Sequence, residues 1–167
     1  MAHPQHEEVR QRYQYCCGYC RVSEIDCGGE LVVDHYHPVS QGGTDSEEDL
    51  VYACMQCNSY KSDFWTEQAD DVCRILHPLQ DDLALHIRET EICILEGLTE
   101  TGRFHIEVLH LNRPELVAHR QRKQKIVAIR ATSRTLAQAI ETKARVMARM
   151  AIYLAYFRSQ NGHTDVE

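Results

Sequence analysis

Three short stretches decide the fold: Cys17-Gly18-Tyr19-Cys20, Leu31-Val32-Val33-Asp34-His35, and Leu50-Val51-Tyr52-Ala53-Cys54-Met55-Gln56-Cys57-Asn58. Each Cys-x2-Cys pair forms a tight knuckle whose two thiolates can face one ion. Two such knuckles complete a tetrahedral four-sulfur site. Cys17, Cys20, Cys54 and Cys57 are therefore expected to hold a structural zinc ion, with no position left for water. Cys16 competes with Cys17 for the first place, because a Cys-x3-Cys spacing is also permitted. Disulfides are the rival use for eight cysteines, but closely paired cysteines in a reducing compartment more often bind metal. Cys27, Cys73 and Cys93 lack matched neighbours and read as small buried apolar residues.

Between the knuckles, two β-branched runs ending at His35 and Ala53 predict short strands. Pro38 and Gly42-Gly43 break the chain into a loop. A helix is expected to begin near Asn58 and run toward Trp65. A zinc ion joining the knuckles would bring Asn58 near Asp34. A carboxylate and an amide oxygen are hard ligands that suit Mg²⁺ or Mn²⁺. His35, on the other side of the strand from Asp34, could take a proton from water.

These residues resemble the HNH endonucleases, whose zinc-bound ββα-metal finger would cover about residues 9–64. The resemblance extends through Val33-Asp34-His35-Tyr36-His37-Pro38, Gly42-Gly43, Asp49-Leu50 and Cys54 to Lys61. The segment from Arg74 to Arg120 is similar to the downstream part of stand-alone bacterial members. The resemblance implies hydrolysis of DNA phosphodiester bonds, leaving 5′-phosphate and 3′-hydroxyl ends. It implies that His35 is the general base and that Asp34 and Asn58 ligate the catalytic divalent ion. Asp49 stands where the family has its central asparagine, which pins the loop and orients the base. Aspartate keeps the acceptor and loses the amide donor, and its charge would stabilise a cationic His35. Lys61, one turn after Asn58, is expected to neutralise a phosphate, and His37 reads as an exposed loop histidine. A binding module with a lapsed nuclease centre is the alternative.

The net charge of −7 over 167 residues looks unsuited to a nucleic-acid partner until it is divided. Residues 1–102 carry −14, residues 103–158 carry +9, and the last nine carry −2. DNA affinity depends on Lys and Arg, so Arg120, Arg122, Lys123, Lys125 and Arg130, with Arg134 beyond them, are the expected clamp. From about Glu115 to Ser159 nothing breaks a helix. Ile126, Ile129, Leu136, Ile140, Met147, Met150, Leu154 and Phe157 follow a 3–4 alternation, with Ser133 and Lys143 on the same seam. Such a stripe predicts pairing with a second copy or with a partner protein, for example an ATPase licensing a bacterial defence nuclease.

The fold class expected is α+β: the finger over 1–70, a β-hairpin extension over 71–118, a long basic amphipathic helix over 119–160 and a tail over 161–167. Within the extension, residues 70–77 suggest a helical turn or two. Glu91–Leu95 and Arg103–Leu109 read as the hairpin strands, and Asn112 as the cap of the long helix before Pro114. No apolar run approaches the ~18–20 residues that cross a bilayer. The opening residues lack the basic and apolar blocks of a secretory signal, so a cytoplasmic location is expected.

Overall fold

The computed structural model describes residues 3–67 and 72–161. The chain is α+β and divides into two units, 1–121 and 122–167. In the first, α1 (His6–Arg12) packs on the antiparallel pair β1 (Val32–His35) and β2 (Leu50–Ala53). Val32 lies opposite Ala53 and His35 opposite Leu50, so Asp34 faces Val51 in register. All four β2 residues are buried, which explains an unbroken apolar run where one solvated face would have given alternation. Val9 of α1 and Tyr13, its C-cap, join Leu31, Leu50, Val51, Tyr52, Ile75, Leu109 and Leu116 in one core.

Both knuckles are built into this frame. The Gly18 N–H donates to the Tyr52 carbonyl at 2.7 Å, tying the first knuckle to β2. A Cβ at Gly18 would come within 2.7 Å of the Tyr13 ring and 2.9 Å of Val51, so only glycine permits this approach. The second knuckle is the opening turn of α3 (Met55–Lys61). Cys54 is its N-cap, and the Sγ accepts from the Cys57 N–H at 3.5 Å. Helix α3 stops at Lys61 instead of running toward Trp65, and Ser62 takes a φ of 51° after it. A short α2 (Glu24–Cys27), capped by Ser23, follows the first knuckle.

Downstream the structure differs from the sequence reading. The hairpin is β3 (Ile87–Glu89) with β4 (Leu95–Gly97), preceded by α4 (Leu83–His86). Arg103–Leu109, expected as a strand, lies almost wholly in α5 (Glu100–Val108), with Leu109 as its C-cap. Thr101, Gly102, His105, Ile106 and Leu109 are buried, which is a helical stripe. Thr99 caps the helix by accepting from the Gly102 N–H at 3.0 Å. The alternation of Phe104, Ile106 and Val108 was the weaker signal. Residues 72–77 form no helix, and residues 70 and 71 lie outside the described residues. Cys27 and Cys73 are exposed, and only Cys93 of the three is buried.

Asn112 does not cap the long helix α6 (Pro114–Asn161). Its carboxamide accepts from the Leu95 N–H and donates to the Leu95 carbonyl, both at 2.8 Å, locking β4. The first turn of α6 closes instead on the Arg113 carbonyl, which accepts from Leu116 and Val117. The unit boundary falls inside α6, so the expected finger and extension share one unit. In the second unit every described side chain through Arg158 is exposed, including Ile129, Leu136, Ile140 and Met150. Among the described residues no helix is long and apolar enough to cross a membrane.

Candidate metal and catalytic centre

The hairpin and the two knuckles bring Cys17, Cys20, Cys54 and Cys57 together, their sulfurs all within 4.8 Å of one another. Cys20 and Cys54 Sγ stand 3.7 Å apart. Four sulfurs about 2.3 Å from a tetrahedral zinc would be separated by about 3.8 Å, so the cluster fits that ion. Cys16 is outside it, bridged to Ser23. The Arg113 guanidinium approaches Cys57 Sγ at 3.8 Å and Cys54 Sγ at 4.0 Å. A four-thiolate zinc centre carries a net charge of −2, and Arg113 offsets half of it. No spacing in the sequence pointed to this role.

Asp34 is 6 % exposed. Its Oδ2 accepts from the Tyr19 hydroxyl at 2.7 Å and its Oδ1 from Lys61 Nζ at 3.4 Å. Burial pushes the Asp34 carboxyl up from its usual range, and the Lys61 ammonium and Tyr19 hydroxyl oppose the shift. Lys61 corrects the sequence reading. At 1 % exposed, with its shorter bond of 2.6 Å to the His35 carbonyl, it is not available to a phosphate. Asn58 is one turn before Lys61 on α3 and hence on the same face of that helix. Each Asp34 oxygen accepts a single hydrogen bond in the structure, leaving lone pairs to spare. A carboxylate and a carboxamide are both hard oxygen donors.

His35, next along β1, turns to the opposite face. Its Nε2 meets Asp45 Oδ1 at 2.8 Å, and its ring is about one-fifth exposed. The two histidines His35 and His3 hold the Asp45 carboxyl below the usual range. Asp45 had no role in the sequence reading, although it lies only ten residues from His35. His3 reaches the same Oδ1 at 3.3 Å from the other end of the finger.

Asp49 does not touch the His35 ring; the carboxylate beside that imidazole is Asp45. The Asp49 oxygens accept from two backbone groups, His37 N–H at 2.6 Å and Thr44 N–H at 2.8 Å. Both partners are donors, so two carboxylate oxygens serve where an asparagine would offer one acceptor and an unwanted NH₂. The loop is packed tightly here, and a Cβ at Gly43 would collide with the His37 carbonyl at 1.7 Å. His37 is not a free loop residue. Its ring stacks on Trp65 at 4.1 Å, and Nε2 lies 3.0 Å from the Gln41 carbonyl.

Of the cations assigned to nucleic acid, Arg120 is also already engaged. Its guanidinium donates to the Cys93 and Leu111 carbonyls and to Asn112 Oδ1, at 2.8, 3.0 and 3.1 Å. It fastens the start of α6 to the β3–β4 region, a structural task that replaces the expected phosphate contact. Arg122, Lys123, Lys125 and Arg130 are exposed in the second unit.

Residues 17–64 match the family model described as HNH endonuclease. The match spans both knuckles, Asp34, His35, Asp45, Asp49, Asn58 and Lys61, while His3 and Arg113 fall outside it. Neither a curated protein nor a solved structure matches the chain.

Proposed function

We propose that this chain, which carries an HNH endonuclease domain over residues 17–64, is a divalent-metal-dependent endonuclease that hydrolyses DNA phosphodiester bonds. The observation that carries the reading is the His35–Asp45 pair at 2.8 Å on an accessible face of β1. An Asp45 oxygen on Nε2 fixes the imidazole proton there, which puts the lone pair on Nδ1. Nδ1 is then the nitrogen that takes a proton from the attacking water, and Asp45 stabilises the imidazolium that results. Asp49 acts one step back. It holds Thr44, the neighbour of Asp45, and so keeps the base in one orientation.

Asp34 and Asn58 would hold the divalent ion, which when bound supplies positive charge to the phosphoryl oxygens and the leaving 3′ oxygen. Lys61 partly neutralises Asp34 and anchors β1 to α3 through the His35 carbonyl. The zinc-bound knuckles fix the spacing of these two elements. A reducing cytoplasm, in which the four thiols stay available to zinc, suits them.

The acidic first unit alone should bind DNA poorly, so the exposed cations Arg122, Lys123, Lys125 and Arg130 supply the sequence-independent affinity. The apolar seam from Ile126 to Phe157 is read as a pairing face for a second copy of the chain. One finger cuts one strand, and two fingers would cut both. A doubled mass for the purified chain supports that pairing, and a monomeric mass at micromolar concentration removes it.

The test is plasmid nicking with Mg²⁺ or Mn²⁺, comparing wild type with His35→Ala while zinc content is measured. Loss of nicking by at least 100-fold with zinc retained is expected from removal of a general base. Equal rates in the two proteins would overturn the assignment.

A further inference from the structure

His3, His35 and Asp45 form a second group of metal-ligating atoms, separate from the cysteine cluster and on the opposite face of β1 from Asp34. Their ligand atoms lie within 4.8 Å of one another. His3 Nε2 and His35 Nε2 stand 3.3 and 2.8 Å from the same Asp45 oxygen. Nitrogen and oxygen ligands about 2.1 Å from a zinc-like ion would be about 3.0 Å apart in octahedral cis positions and about 3.4 Å in tetrahedral ones. The observed separations, 2.8 and 3.3 Å, lie within about 0.2 Å of that range, so an ion could enter with small side-chain movements. The two imidazole rings meet edge to face at 72°, with centroids 5.6 Å apart, so they do not stack against each other and close the space between. Asp45 is 65 % exposed and the imidazoles about one-fifth exposed, which leaves an entry path and room for water ligands.

We propose that these three side chains bind a divalent transition-metal ion of the zinc class, and that the ion switches off the base. Two imidazoles and a carboxylate with open positions are a donor set for such ions, in contrast to the hard oxygens at Asp34 and Asn58. The switching follows from the tautomer. An ion on His35 Nε2 displaces the proton to Nδ1, the nitrogen that has to accept one from water, so the base becomes a donor. The inhibitory half of the proposal rests on the reading of His35 as general base; the binding half does not. One contact opposes binding: the Gln5 N–H donates to His3 Nδ1 at 3.2 Å, and that bond has to break when Nδ1 gains its proton. The second ion is therefore held more weakly than the first, as a sensor of free metal would require.

The test uses the full chain with one zinc per molecule in the cysteine site. In excess Mg²⁺, which occupies the hard oxygens of Asp34 and Asn58, added Co²⁺ should give one further equivalent with the weak visible absorption of nitrogen and oxygen ligands, free of sulfur charge-transfer bands. Added Zn²⁺ should move the His35 Nδ1 signal in ¹⁵N NMR from unprotonated to protonated. His3→Gln should abolish the second equivalent while keeping the cysteine-bound zinc, its nicking being compared with its own rate before Zn²⁺ is added. In that variant nicking in Mg²⁺ should resist Zn²⁺ that suppresses wild type at least tenfold. A single equivalent in wild type, a second one that survives His3→Gln, or an unmoved His35 signal would each overturn the proposal. Binding that holds in a protein that never nicks would instead refute the nuclease reading and leave the metal site standing.

Discussion

Asp49, just before β2, accepts from two backbone N–H groups, His37 and Thr44, and so ties both ends of the intervening loop. Asp49→Ala leaves both donors to water or unpaired, a cost of about 1–3 kcal/mol each when buried and less at this partly exposed site. The expected outcome is a loss of about 1–2 kcal/mol in urea unfolding, with Asp49→Asn retaining about half. Nicking by Asp49→Ala should fall with the loosened Asp45. His105 gives a pH dependence of its own. Burial pushes its pKa down to about 4, and its Nδ1 accepts from the Leu76 N–H at 3.0 Å. The unfolded chain, with a value of about 6.5, binds the proton first as pH falls. Stability is therefore full above pH 6.5 and is lost between there and pH 4. Wild type should be about 2 kcal/mol less stable at pH 5 than at pH 7 from this group. A His105→Gln variant with the same loss would remove His105 as the cause.

The knuckle spacing, the two strands and the helix after them were legible because each is a local pattern of a few residues. The partners that tune the site were not. His3 meets Asp45 across 42 residues and Arg113 meets Cys57 across 56, and no periodicity encodes such distances. Lys61 looked like a surface cation because nothing local marks a lysine whose neighbour across the fold is a buried carboxylate. The hairpin was misplaced because Arg103–Leu109 satisfies both periods in part, and the Thr99 cap and the buried Gly102–His105–Ile106 stripe favour the helix. At this scale the four-cysteine cluster, which fits a zinc ion, joins the first knuckle to the start of α3. Structural zinc in comparable peptide sites contributes about 10–16 kcal/mol, as much as a whole domain's net stability. Chelation or Cys57→Ser should abolish amide-exchange protection in β1, β2 and α3. Protection that persists without zinc would show that the apolar core alone holds the finger.

Across the molecule, charge is separated: an acidic unit with the centre and a helix whose cations stand in solvent. The binding free energy for DNA should therefore reside in residues the chemistry does not use. Replacing Arg122, Lys123, Lys125 and Arg130 by Gln removes up to four phosphate contacts. The slope of log K against log salt should become shallower by about 3–4, with zinc content unchanged. An unaltered slope would place the DNA contact elsewhere.

The sulfur of Cys54 is at once a member of the four-cysteine cluster that fits a zinc ion and the cap of α3, the helix that carries Asn58 and Lys61. Newly made polypeptide would thus be unable to cut until the ion arrives, since without it that helix loses its starting point and the scissors their pivot. On the nuclease reading, supply of the metal would be the last step of maturation, and a host that synthesises this chain would be spared damage to its own genome in the interval.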